Sequence, residues 1–116
     1  MCETIEFLSV DEAARRLGVE ARKIKQFVRD HLVLCVKDTS GKQAIPADML
    51  VLGEYGWELL YNLPGTLTLL ADGGFSPQES LEWLYRVDDE LGQTPMSALR
   101  EGRHHRVNAI ASALAL

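Results

Sequence analysis

The sequence predicts a mainly helical chain with a small β-hairpin, an α+β fold in which the hairpin follows directly on two short helices. Three observations carry that expectation. Apolar residues recur at helical spacing in several short segments. Three of those segments open on a Ser or Thr cap, Ser9, Ser76 and Thr94. One β-rich stretch is broken by Asp38-Thr-Ser-Gly41, a turn signal. At 116 residues, 47% hydrophobic and 25% charged, the chain has globular composition and enough length to bury a core without disulfides or a structural metal.

Residues 4–9 lead into the first helix. Ser9 and Glu12 form a capping-box pattern, in which the hydroxyl and the carboxylate each satisfy a free backbone amide of the other residue. Val10, Ala13, Ala14 and Leu17 then recur at helical spacing, with Arg15 and Arg16 outside, and Gly18 supplies a left-handed stop. A second helix is expected from about Glu20 to Asp30. Its apolar stripe is Ala21, Ile24, Phe27 and Val28; its other face carries Arg22, Lys25, Gln26 and Arg29, with Lys23 at the flank. His31–Lys37 is rich in β-formers, Asp38–Lys42 reads as a turn, and Gln43–Ile45 returns. Two short helices joined through a glycine, the second basic, with a hairpin behind them, make a winged helix-turn-helix. Pro46 ends the hairpin and is placed to open a short helix through Leu50.

The stretch Gly53–Gly56, with Tyr55 and Trp57, reads as a connection or a strand, giving a division into residues 1–52 and a helical subdomain, 53–116. In the latter, Pro64-Gly65 precedes an apolar helix, Thr66–Ala71, halted by Asp72-Gly73-Gly74. Ser76, Pro77 and Glu79 open another, with Leu81, Leu84 and Tyr85 on one side and Trp83 beside them. Thr94-Pro95 starts a short helix ending at Gly102. A last, Ala-rich helix runs from about Arg103 to Ala115, with Val107, Ile110 and Leu114 facing inward. No internal repeat is visible.

Several function classes are disfavoured. Cys2, at a terminus expected to fray, and Cys35, in the apolar run Leu32–Val36, have no second Cys or His at ligand spacing; they suit a reducing cytoplasm, and Cys35 reads as a small buried hydrophobe. The opening residues carry no secretory pattern, and the apolar runs are too short for a membrane span. Asp88-Asp89-Glu90, Glu79 and Glu82 lack a histidine or a phosphate-binding loop, and His104 and His105 are about 100° apart on a helix. No catalytic partner set accompanies the serines, so neither an enzyme nor a cofactor or metal is expected. Tyr55, Trp57, Tyr61, Trp83 and Tyr85 lack interleaved basic residues and read as core or interface packing rather than a single-strand stacking platform.

The net charge of −5 argues against nucleic acid until it is divided. Residues 1–50 balance eight Lys/Arg against eight Asp/Glu, whereas residues 51–116 hold four against nine. On the second helix Arg22, Gln26 and Arg29 fall on one side with Lys25 adjoining. In a major groove, Arg pairs with guanine edges, Gln with adenine, and the remaining cations with phosphates. Lys42, at the hairpin tip, would reach the backbone or a neighbouring minor groove.

Ser9-Val-Asp-Glu-Ala-Ala-Arg-Arg-Leu-Gly-Val19, followed by a basic helix and a hairpin ending Ile45-Pro46, resembles the helix-turn-helix start of excisionase-like and MerR-like regulators. Asn62-Leu-Pro-Gly-Thr-Leu-Thr-Leu-Leu-Ala-Asp-Gly-Gly-Phe75 with Glu82-Trp-Leu84 resembles a family of small actinobacterial winged-helix DNA-binding proteins with a dedicated C-terminal domain. The resemblance implies an N-terminal winged helix that contacts duplex DNA through Arg22, Lys23, Lys25, Gln26 and Arg29, with Lys42 in the wing. The chain starts almost at its first structured element, so control through an N-terminal tail is not carried over. A weaker likeness of Leu91–Leu99 and its surroundings to the toxin-binding domain of type II antitoxins is read as shared helical architecture. The resulting expectation is a cytoplasmic or nucleoid-associated DNA-binding protein, regulatory and non-catalytic, that forms homodimers or contacts a protein through its C-terminal helices. The rival is a protein-interaction module, antitoxin-like or an adaptor, acting through residues 76–116.

Overall fold

The computed structural model describes residues 5–114. The chain divides into two compact units, Met1–Leu60 and Tyr61–Leu116. Cys2 lies outside the described residues.

In the first unit, β1 (Phe7–Ser9) runs straight into α1 (Val10–Leu17), followed by α2 (Ala21–Arg29), β2 (Val36–Lys37) and β3 (Gln43–Pro46). The capping box is complete: the Ser9 Oγ accepts the Glu12 amide at 3.1 Å and the Glu12 carboxylate accepts the Ser9 amide at 3.2 Å. These bonds hold the Glu12 carboxyl below its ordinary value, the Ser9 backbone amide being the larger cause. Gly18, at φ 70°, ends α1 in the left-handed region that an L-residue enters only at a cost.

The three strands form an antiparallel sheet in the order β1-β3-β2, with Leu8 opposite Ile45 and Val36 opposite Ala44. The hairpin strand before the turn is shorter than the β-rich run suggests. Val33 and Leu34 are both buried but lie outside the ladder, which β2 enters only at Val36. The segment instead wraps the core, its Leu34 amide facing the Met49 sulfur at 3.4 Å. Leu8, Ala13, Ile24, Ile45, Met49 and Leu50 fill that core. Cys35 is half-buried, and burial pushes its thiol above the ordinary value.

After Pro46, a single 3-10 turn (Ala47–Met49) leads into a second hairpin, β4 (Leu50–Gly53) and β5 (Gly56–Leu59). Leu50 pairs with Leu59 and Leu52 with Trp57. The Leu60 amide donates to the Met49 carbonyl at 3.1 Å, and Leu60 is buried. The whole hairpin therefore belongs to the first unit, whose limit falls after Leu60 and not between residues 52 and 53. Tyr55 is 96% exposed and so takes no part in the core, one of the two roles, core or interface packing, read for it; Trp57 is 37% exposed.

The second unit comprises α3 (Leu63–Asp72), α4 (Pro77–Leu84), α5 (Pro95–Arg100) and α6 (His104–Leu114). Helix α3 starts earlier than the apolar run: Pro64 sits in its first turn, where no amide is needed. Ser76 and Glu79 complete a second capping box, which lowers the Glu79 carboxyl from its ordinary value. Thr94 caps α5 through the Ser97 amide. Leu63, Leu67 and Leu70 of α3 are buried with Leu84, Met96 and Leu99. On α6 the buried pair is Val107 and Ala111, one turn apart, and Ile110 is half-buried. Leu114 follows the same stripe into the last turn but is 46% exposed, against the inward position expected. Thr66 and Asn108 join α3 to α6 by a side-chain hydrogen bond. The buried Asn62 amide donates to the Leu99 carbonyl at 2.8 Å.

Among the described residues, no group of three His, Cys, Asp or Glu is placed to hold a metal ion. No described helix is long and apolar enough to cross a membrane.

Candidate nucleic-acid interface

Helix α2 holds five of the six candidate residues and buries little of its surface. Ile24 is its one fully buried side chain, with Ala21, Phe27 and Val28 half-buried beneath. Arg22, Lys23, Lys25, Gln26 and Arg29 are all exposed. The separation follows from the 3.6-residue period: a narrow apolar stripe leaves most of the circumference to polar side chains.

Both ends of α2 are fixed by backbone bonds. At the start, the Lys23 amide donates to the Glu20 carbonyl at 2.9 Å. At the end, the His31 amide reaches the Val28 carbonyl at 3.2 Å and the Leu32 amide reaches the Phe27 carbonyl at 2.9 Å. This is the bond pair of a Schellman stop, with His31 at φ 59° where glycine is usual. The chain therefore turns sharply off α2 towards the wing.

A shallow depression of 460 Å3 follows one side of α2, bounded by Val19, Glu20, Arg22, Lys23, Gln26 and Arg29. A second, of 240 Å3, lies between α2 and the sheet and is lined by Lys25, Val28, Arg29, Cys35 and Gln43, among others. Arg29 borders both. Five of the six residues singled out from the sequence are thus gathered on one helix, and Lys25 and Arg29 look into the gap beside β3.

The sixth, Lys42, sits at the wing. The Asp38 carboxylate organises this turn, accepting the Ser40 amide at 2.9 Å, the Ser40 hydroxyl at 2.6 Å and the Lys42 amide at 3.0 Å. The Ser40 hydroxyl, then the Lys42 amide, hold the Asp38 carboxyl below its ordinary range. Gly41, at φ 84°, closes the turn. Lys37, not singled out from the sequence, is exposed on β2 opposite Gln43. Its signal is hairpin register: the residues flanking the five-residue turn Asp38–Lys42 pair across the strands.

The cations differ in how free they are. The Arg22 Nε lies 2.6 Å from the Glu20 carboxylate, an exposed ion pair that a competing phosphate displaces at little cost. The Lys23 ammonium sits 5.5 Å from the Phe27 ring centroid. Lys25, Arg29 and Lys42 have no carboxylate partner among the described residues. Arg16, expected outside with Arg15, is instead held against the fold: its guanidinium lies 4.8 Å from the Trp57 ring centroid and 4.0 Å from the Glu6 carboxylate.

Two family models match the chain: "DNA-binding protein Rv2175c, wHTH domain" over residues 1–50 and "Rv2175c C-terminal domain of unknown function" over residues 60–115. A curated relative, "DNA-binding protein Rv2175c" of Mycobacterium tuberculosis (strain ATCC 25618 / H37Rv), is 33% identical over 78 residues, covering 67% of this chain and 51% of the relative. The chain spans about half the length of that relative. A solved structure, "NMR structure of Rv2175c", superposes with a TM-score of 0.84 at 26% identity, covering 100% of this chain and 85% of the other. Both halves of the sequence thus match in the same order as the fold's two units, and the chain belongs to the Rv2175c winged helix-turn-helix family.

Proposed function

We propose that the protein binds duplex DNA through α2 and the β2–β3 wing, as a non-catalytic regulatory or nucleoid-associated protein of the cytoplasm. The observation that supports this most directly is the exposed face of α2, where Arg22, Gln26 and Arg29 share one side and Lys25 turns towards the wing. The family's winged-helix description supports the same reading. Arg22, Gln26 and Arg29 face base edges in the major groove; Lys23 and Lys25 flank them at the phosphates, and Lys42 meets the backbone beside the wing. One winged unit offers few contacts, so affinity depends steeply on salt, and a second copy on a two-fold site doubles the phosphate contacts.

The test is fluorescence anisotropy of a labelled random-sequence duplex titrated with the protein at low and at moderate salt. Binding that weakens as salt rises supports the reading; no binding at low salt rejects it. A second reading, a protein contact through residues 76–116, draws support from Glu79, Glu82, Asp89 and Glu90, which are exposed and repel phosphate. It requires a stoichiometric partner in a pull-down with the full chain from its native cytosol.

A further inference from the structure

The second unit is acidic except at one corner. Of the four Lys/Arg in residues 51–116, three fall in the stretch Arg100-Glu-Gly-Arg-His-His-Arg106, together with two of the chain's three histidines. The fold keeps them together. Helix α5 ends at Arg100, the chain reverses through Gly102 at φ 86°, and α6 begins at His104. The Arg103 amide donates to the Ala98 carbonyl at 2.9 Å, which fixes the reversal.

The side chains of Arg103 and Arg106 are not neutralised by a carboxylate among the described residues. The Arg103 guanidinium donates to the Gln93 side-chain oxygen at 2.8 Å and contacts the Leu91 carbonyl at 3.4 Å. Both partners are uncharged, so the arginine is oriented with its full charge retained. Arg106 is exposed and has no carboxylate partner among the described residues. His105 is exposed beside His104, with ring centroids 4.2 Å apart. The His104 ring meets Tyr61 edge-on at 6.0 Å, and Tyr61 is 74% exposed, its ring held but its surface open. The single carboxylate of the stretch, Glu101, is exposed and makes no ion pair with either arginine.

We propose that this corner, formed by Arg103, His105 and Arg106 with Tyr61 at its edge, is a second contact for the phosphate backbone of duplex DNA. The inference rests on the reading that the protein binds duplex DNA, and it adds a site on the unit for which that reading assigns none. Two guanidiniums without carboxylates suit phosphate oxygens, and an exposed tyrosine adds a hydroxyl donor. The corner offers no side chains aimed at base edges from a groove-sized element, so its contribution is independent of sequence. A weak contact tethered to the winged unit acts at high effective concentration and raises overall affinity without changing site preference.

The test uses the full chain carrying His105→Ala with Arg106→Ala, and separately Arg106→Glu, with circular dichroism to confirm the helices. A labelled duplex is titrated across a salt series beside wild type and the double variant Arg22→Ala, Lys25→Ala. The expected result is about a fivefold loss of affinity at moderate salt and a salt slope smaller by about one, with preference among duplex sequences unchanged and a larger loss for Arg106→Glu. Affinity and slope equal to wild type in both corner variants overturn the proposal, and point to an acidic protein surface as this corner's partner. Loss of binding in the corner variants with none in Arg22→Ala, Lys25→Ala upholds this site and rejects the α2 reading. Absence of salt-sensitive binding by wild type rejects both.

Discussion

Asp38 and Lys42 clasp each other across the wing turn: the Asp38 amide donates to the Lys42 carbonyl at 2.8 Å while the Asp38 carboxylate accepts the Lys42 amide at 3.0 Å. The position of a candidate phosphate-binding lysine therefore depends on an acidic residue that itself repels phosphate. Asp38→Ala is expected to leave the thermal midpoint nearly unchanged, while DNA affinity falls about threefold because Lys42 is no longer held. Anisotropy against a labelled duplex checks it; affinity at or above wild type would show that the charge of Asp38 matters more than its clasp.

The same carboxylate sets an acid limit. Its native value lies below the ordinary one, so the clasp is fully present above the unfolded carboxylate value of about 3.9 and is lost as pH falls through the lower native value. Amide resonances of Ser40 and Lys42 should hold their native positions through mildly acidic solution and move together only below that unfolded value. Movement near neutral pH would contradict the assigned bonds.

Arg22→Ala with Lys25→Ala is expected to abolish duplex binding and leave the fold intact, since both side chains are exposed. Gln26→Ala should preserve non-specific binding but lose about 1–3 kcal/mol of discrimination at one base pair of a selected site. Selection of preferred sequences with wild type and Gln26→Ala separates the two effects; identical preferences would remove Gln26 from base contact.

His31 takes the left-handed position at the end of α2, where an L-residue costs roughly 1–2 kcal/mol. His31→Gly removes that strain but gains unfolded-chain freedom, so a net stabilisation of up to about 1 kcal/mol is expected. His31→Val should destabilise instead. Denaturant melts of the two variants should move in opposite directions.

In the second unit, Leu84 is fully buried at the end of α4. Leu84→Ala should cost about 2–5 kcal/mol. Asn62→Ala removes a buried donor to the Leu99 carbonyl, which keeps the Gly102 amide as its remaining partner, at a cost of about 1 kcal/mol. Denaturant unfolding followed by circular dichroism measures both.

The features legible in the sequence were those written locally. Ser9 with Glu12, and Ser76 with Pro77 and Glu79, mark helix starts because their partners lie three residues away. The basic face of α2 was visible for the same reason. Features that need a distant partner were not. Strand β1 is three residues long and takes its ladder from β3, beyond both helices, so no period could announce it. Arg16 sits on the polar side of α1 by spacing, yet Trp57 of the second hairpin draws it onto the fold. His31 gave no signal at all: its backbone conformation follows from the chain having to leave α2 for the core. The exposure of Tyr55 is likewise set by a pairing the local sequence does not show: the turn between the paired glycines Gly53 and Gly56 leaves it in solvent.

The Trp57–Arg16 contact also makes the molecule observable. The chain has two tryptophans, Trp57 in the first unit and Trp83 in the second. Each unit thus carries its own intrinsic fluorophore. In a Trp83→Phe background, indole emission follows the winged unit alone, and departure of the guanidinium from the ring on unfolding changes the polarity around the emitter. Each unit can be followed through unfolding in an unlabelled full-length chain that keeps only its own tryptophan.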